Sequence, residues 1–302
     1  MPSHAVTVIS PSDVAGSGET GPYPFDLFNA KCLAQGDSWF SIGSLPPGLN
    51  TNILAELQLT KSVVAVNCAR PGKELVHMTD KVSDPAFVSL LAGRMQWRWD
   101  AILISGGGND LIDVATNAPS VRPDQRLLAT AAERPAGGPP ADPATLGAYY
   151  VSEPGWAAFD SHMSEVFTNL VDLRDSGQNK DQPLFLHNYT YLMPRPAGAA
   201  PGFGPWLQPA MVAFGIPQPH WLPVITELID RLSALFLCLI QQRQAADGAA
   251  ALYLVDTRQA GLVLADPAAT GLSGDYLNEI HPSTGGYAKL AAVWRQAIDP
   301  VI

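Results

Sequence analysis

Ala30-Lys31-Cys32-Leu33-Ala34-Gln35-Gly36-Asp37-Ser38-Trp39-Phe40 is a short apolar run that breaks at a glycine and delivers a carboxylate and a hydroxyl into the turn that follows. A run of this length is that of a strand buried on both faces. Comparable runs recur at 63–67, 101–105, 184–187 and 251–255. Helical candidates lie between and after them at 50–59, 85–95, 156–174, 221–246 and 283–298. Strand alternating with helix predicts a three-layer α/β/α sandwich around a mainly parallel sheet.

The rest of the chain is read around that core. Residues 1–29 are rich in Pro, Gly and Ser without periodicity, which predicts an irregular N-terminal arm laid over a single domain spanning 30–302. Two segments interrupt the alternation. Segment 117–147 centres on Ala136-Gly137-Gly138-Pro139-Pro140 and reads as an insertion or mobile loop. Segment 189–221 mixes prolines with Tyr189, Tyr191, Phe203, Trp206, Phe214 and Trp221. Proline opposes regular structure while aromatic rings demand burial, so this segment reads either as a wall or lid beside a site or as a rigid packed excursion.

Composition narrows the classes of partner. The 302 residues carry 28 acidic against 18 basic side chains, a formal net charge of -10, and 47% are hydrophobic. That field repels phosphate backbones and anionic lipid, so nucleic acid is not an expected partner, while the apolar content suffices for a sizeable core. No apolar run of about 18 residues predicts a membrane span, and His4-Ala5-Val6-Thr7-Val8-Ile9 is too short for a signal-peptide core. The expectation is a cytoplasmic protein. Cys32, Cys68 and Cys238 are far apart in apolar surroundings and read as buried free thiols.

In open parallel sheets, ligands meet the loops at the carboxyl ends of the strands. The first predicted strand ends in Gly36-Asp37-Ser38, the second in Asn67-Cys68-Ala69-Arg70-Pro71-Gly72, the third in Gly106-Gly107-Gly108-Asn109-Asp110. Together they offer what acyl transfer needs: an exposed hydroxyl, backbone N–H groups freed by glycine, and a neutral amide donor. The chain has six histidines, and Asn278-Glu279-Ile280-His281-Pro282-Ser283 places one of them just before the last helix, with Ser283 as that helix's N-cap.

This ordered set resembles the SGNH subgroup of the GDSL hydrolases, and the resemblance runs from about Ala30 to Ile298. It implies a flavodoxin-like sheet and a serine esterase or lipase needing no metal or organic cofactor. Ser38 matches the nucleophile, whose own N–H is an oxyanion donor; Gly72 and Asn109 match the other two oxyanion donors, and His281 matches the general base. One position departs from the pattern. The family's usual Asp stands three residues before the His, where this chain has Asn278. An Asn carbonyl accepts the His Nδ1–H and fixes the tautomer, but it does not stabilise the imidazolium by charge. Three orienting groups stay open: Asn278 or a backbone carbonyl, Glu279 turned inward, or Asp275 reaching across the loop.

Other residues carry competing readings. Asp37 and Asp110 read as acceptors for loop amides, or as metal ligands with His187 and His281; no compact ligand spacing is present. The Gly106-Gly107-Gly108 run lacks the Lys-Ser/Thr of a phosphate loop. His187 reads as a satisfied structural histidine or a pocket residue, Asp256 as a turn cap or a support for His281, and Trp97 and Trp99 as packing or interface residues. The expected reaction is hydrolysis of short to medium acyl carboxylic esters, small-molecule substrates. Carbohydrate deacetylation or a lysophospholipase or thioesterase activity is the alternative within the family. A binding module with a weakened site is the alternative outside it. The oligomeric state is not readable from the sequence.

Overall fold

The computed structural model describes residues 3–15, 23–41, 51–247 and 251–302. Its centre is a six-stranded sheet made of β1 (Thr7–Ile9), β2 (Ala30–Gly36), β3 (Val63–Asn67), β4 (Ala101–Ser105), β5 (Leu184–His187) and β6 (Leu252–Val255). Their order across the sheet is β1-β3-β2-β4-β5-β6, and every neighbouring pair is parallel. Ala-Ile-Leu-Ile-Ser of β4 is buried along its whole length, as a strand covered on both faces must be. Omitting β1, the order is that of flavodoxin-like sheets, and it reverses between β2 and β4, where loops leaving adjacent strands diverge and open a crevice.

Helices cover both faces and make the fold a three-layer α/β/α sandwich. One face carries α1 (Pro85–Leu91), α2 (Gly108–Ala115), α3 (Glu153–Asp175) and α5 (Trp221–Asp247), with α4 (Leu207–Ala213) packed against α2 at the crevice. The other carries α6 (Thr284–Ile298), which packs on the short helix Ile53–Glu56. The predicted cap of α6 is in place, since Ser283 Oγ accepts the Gly286 N–H at 3.3 Å.

Several expectations are corrected. The N-terminal stretch is not an irregular arm: β1 is an edge strand in register with β3, Thr7 facing Val64, and His4–Ala5 pairs antiparallel with Gln58–Leu59. Strands of two and three residues, with Val8 41% exposed, carry too little alternation to be read as a pattern. Residues 16–22 of that arm lie outside the described residues, as does the start of the predicted helix 50–59. That helix is confined to Ile53–Glu56 and the chain is extended again at Gln58–Leu59. Within segment 117–147, Arg126 is buried, donates to the carbonyls of Val121 and Leu128 and pairs with Glu133. Cys238 is exposed on α5, whereas Cys32 and Cys68 are buried as expected. Burial pushes the Cys32 thiol up to about 12.

Segment 189–221 contains regular structure that its prolines argued against. Pro209 lies in the first turn of α4, where an N–H is not required. The orphan N–H groups of Trp206, Leu207 and Gln208 all donate to the Glu279 carboxylate, which also accepts from Arg195 N. The helix thus has its N-terminal partner, but that partner lies some seventy residues along the chain.

Candidate active site

Ser38 occupies the turn directly after β2. Gly36 is required there because the chain passes against Ser105 of β4, and a Cβ at residue 36 would lie 2.6 Å from the Ser105 Cβ. Asp37 N donates to Ser105 O at 3.0 Å, and the N–H groups of Phe40 and Ser41 fold back onto Asp37 O. These bonds hold the Ser38 turn to the sheet at the point where strand order reverses.

Groups from two distant parts of the chain meet beside it. His281 Nε2 stands 2.8 Å from Ser38 Oγ, and His281 Nδ1 stands 3.1 Å from Asn278 Oδ1. Asn278 Oδ1 also accepts the backbone N–H groups of His281 (2.9 Å) and Ile280 (3.1 Å). Three donors converging on one atom identify it as the carbonyl oxygen. His281 therefore carries its proton on Nδ1 and turns the Nε2 lone pair to the Ser38 hydroxyl, the tautomer a base needs. Ser38, Asn278 and His281 are all buried, and burial pushes the His281 imidazole down to about 4. The Trp206 ring meets the imidazole edge to face at 5.7 Å.

The other orienting candidates are committed elsewhere. Glu279 binds the N–H groups at the start of α4, burial raising its pKa while those donors oppose the rise. Asp275 accepts the Val263 N–H and pairs with Lys289 at 2.6 Å. Asn278 Nδ2 is a buried donor without a hydrogen-bond partner among the described residues.

Asn109 opens α2 and lines the same cleft as Ser38. It is presented there by Gly107, which caps the helix at φ 100°, a conformation that favours glycine. Asn109 Nδ2 donates one hydrogen to Lys73 O at 3.1 Å, leaving its second N–H uncommitted by that bond. Asp110 adds a further tie, accepting from Leu75 N at 2.8 Å. The loop bearing Gly72 is thus fastened to the start of α2 at two points. Gly72 itself has φ 72°, is exposed, and does not line the cleft, so its N–H is not brought to Ser38 in the way the cleft brings Asn109.

A buried polar chain that sequence reading missed lies beneath Ser38. Asp37 Oδ2 accepts the Tyr189 hydroxyl at 2.5 Å, and Oδ1 accepts both Ser105 Oγ at 2.8 Å and Trp39 N at 2.9 Å. Because Ser105 gives its one proton to Asp37, its contact with His187 Nε2 at 2.9 Å is donated by the imidazole. His187 is therefore a satisfied structural group, pushed down to about 3 by burial, and does not line the cleft. Burial pushes the Asp37 carboxyl up to about 6 against the pull of its hydrogen bonds. Asp37 and Asp110 both serve as acceptors for loop amides, the first of their two readings. Asp256 caps its turn through Arg258 N and binds Asn188 rather than His281. Trp99 is buried and Trp97 packs edge-on against Phe25.

Beyond Ser38 the cleft is apolar. Tyr189, Thr190, Leu192, Leu207 and Ile280 line one part of it, and α2 and α5 line the remainder. Segment 189–221 is in this sense a wall of the cleft, the first of its two readings. Among the described residues no helix is long and apolar enough to cross a membrane.

Comparisons with known proteins give likenesses of shape only. No family model matches the chain, and no curated protein matches it. Among solved structures it is similar to Axe2, an acetylxylan esterase from Geobacillus stearothermophilus, at 12% identity and TM-score 0.42 over 89% of this chain and 93% of that one. It is similar to the lipase Lip_vut3 from a goat rumen metagenome at 15% identity and TM-score 0.47, over 90% and 98% of the two chains. An extracellular lipase from Streptomyces rimosus gives 15% identity and TM-score 0.48, over 89% and 99%.

Proposed function

We propose that this protein hydrolyses carboxylic esters through an acyl-enzyme on Ser38. The observation that carries the reading is the relay Ser38 Oγ, His281 Nε2, His281 Nδ1, Asn278 Oδ1, with contacts of 2.8 and 3.1 Å. Ser38 Oγ attacks the ester carbonyl carbon while His281 Nε2 takes the hydroxyl proton. The tetrahedral oxyanion is held by the Ser38 N–H and the free N–H of the Asn109 amide, without the exposed Gly72 N–H that lies off the cleft. Cleavage of the carbon–oxygen bond releases the alcohol, which leaves with the proton from His281. Water then attacks the acyl-enzyme, giving its proton to His281; the acid departs and Ser38 regains its hydrogen.

Burial serves this sequence by keeping His281 neutral, hence able to accept a proton, over the whole neutral range. The cost is that the imidazolium formed on the way is stabilised by a carbonyl dipole and not by a carboxylate. Acceptance of the Nδ1–H by Asn278 supports catalysis over the alternative of a binding module with a weakened site. The experiment is turnover of p-nitrophenyl butyrate together with labelling by a fluorophosphonate probe. Turnover and a Ser38 adduct are expected in the native protein and neither in Ser38→Ala; equal rates in the two would refute the reading.

A further inference from the structure

We infer that the cleft is an acyl tunnel that measures chain length, that its preferred substrates are esters of about six- to eight-carbon acids, and that Ala115 sets the limit. The inference rests on the ester-hydrolase reading and adds the acyl group to it. The tunnel runs between two helices. Leu111, Ile112 and Ala115 of α2 face Ile225, Leu228 and Ile229 of α5, and all six line the cleft that begins at Ser38 and Asn109. The spacing on each helix places its residues on one face, so an apolar stripe confronts an apolar stripe.

Helix geometry supplies the depth. From Asn109, beside the reacting carbonyl, to Ala115, the last residue of α2, the axis advances about 9 Å at roughly 1.5 Å per residue. An extended chain advances about 1.2 Å per bond, as the backbone's three bonds per roughly 3.5 Å residue show, so with about 2 Å taken by the terminal methyl's own radius roughly five to seven bonds fit, a chain of about six to eight carbons counted from the carbonyl. Ala115 is fully buried, and the α2 terminus is fastened there, Val114 O accepting the Leu127 N–H at 3.2 Å.

Chemistry selects alkyl over sugar. The polar residues Asp37, Ser38, Asn109, Tyr189 and Thr190 of the lining come from the loops after the strands and the first turn of α2, and none belongs to the facing stripes. Asp37 and the Tyr189 hydroxyl already bind each other. A glycosyl group pushed past them would leave its hydroxyls without partners, whereas an alkyl chain loses nothing by burial.

The test is a series of p-nitrophenyl esters from acetate to dodecanoate. Each methylene buried should raise kcat/KM about fourfold until the chain reaches six to eight carbons, after which it should stop rising. In Ala115→Leu the ratio of octanoate to acetate turnover should fall about tenfold or more, because the tunnel end is then overpacked by the longer chain. Ile229→Ala widens the opposite wall and should move the optimum to longer chains, which keeps the test intact if Ala115→Leu does not fold. Binding of free acetate, hexanoate and octanoate to Ser38→Ala, read by thermal shift, should show the same ladder without any chemistry. Ester turnover that is flat with chain length, or variants that lower all esters alike, would overturn the tunnel. Absence of all turnover beside an intact binding ladder would overturn the hydrolase reading and leave the tunnel standing; absence of both would overturn the two together.

Discussion

Replacing Asn278 by aspartate tests the least usual part of the site with a reversal of sign. The imidazole Nδ1 lies 3.1 Å from Asn278 Oδ1 in a buried setting, so a carboxylate there would face the imidazolium at contact distance. An opposite charge at that range raises a histidine pKa by about one to three units, each worth about 1.4 kcal/mol. The native imidazole, held near 4 by burial, should titrate between about 5 and 7 in Asn278→Asp. Two consequences have opposite directions. The acid limb of kcat/KM moves up by about one to three pH units, because the base must be neutral to act. The plateau rises by about ten- to a thousandfold, because the imidazolium formed in the transition state gains the same charge stabilisation. The carboxylate would inherit three N–H donors, from Ile280, His281 and the imidazole, and would replace a buried Nδ2 that has no partner among the described residues, so the fold should tolerate it. The assay is a pH–rate profile on p-nitrophenyl butyrate from pH 4 to 9, with thermal unfolding to show that the variant is folded. An acid limb that stays in place together with a plateau changed by less than twofold would refute the claim that Asn278 acts on His281.

Asn109→Ala should lower kcat by about a hundred- to a thousandfold with little change in KM, the signature of a donor used only in the transition state; a tenfold loss or less in steady-state kinetics would remove it from the oxyanion site. Glu279→Ala should cost about 3 kcal/mol or more in urea unfolding, since it strips the acceptor from four backbone N–H groups, while Glu279→Gln, which keeps an acceptor oxygen, should cost clearly less. Stability should also fall as pH drops from about 6.5 to 4. His187 and His281 have folded pKa values below their unfolded ones, so the unfolded chain binds more protons in that window, and acid favours it. Asp37, raised to about 6, binds its proton in the folded state and opposes one of the two. The three groups leave a net slope near one proton, about 1.4 kcal/mol per pH unit around pH 5, which denaturant midpoints across pH would measure. A slope of zero or of opposite sign would contradict the assigned burial of the two imidazoles.

How much was legible depended on the range of the interaction that carries each feature. The central strands were readable because burial on both faces demands continuous apolar runs, and 63–67, 101–105 and 184–187 coincide with observed strands. β1 and the strand Gln58–Leu59 were not, because two or three residues at an edge hold their conformation through a neighbour's hydrogen bonds and leave no periodic trace. Helix α4 escaped for a related reason: its N-terminal donors are satisfied by Glu279, a residue that sequence reading had offered to His281.

For the site, the sequence alone determined the chemical alphabet: a serine in a glycine-bounded turn, an amide after a triple glycine, and a histidine before the last helix. Residue type and order along alternating strands and helices suffice for that, since a parallel sheet collects its strand ends on one edge. Only the tertiary structure decided what orients the histidine. Asn278, Glu279 and Asp275 all lie within six residues of His281 and could each reach it in an unfolded chain. Packing assigned Glu279 to the α4 amides and Asp275 to Lys289, leaving the Asn278 carbonyl facing the imidazole. The tertiary structure likewise made the apolar cleft, because the facing stripes of α2 and α5 belong to helices over a hundred residues apart and meet only when both pack on the sheet.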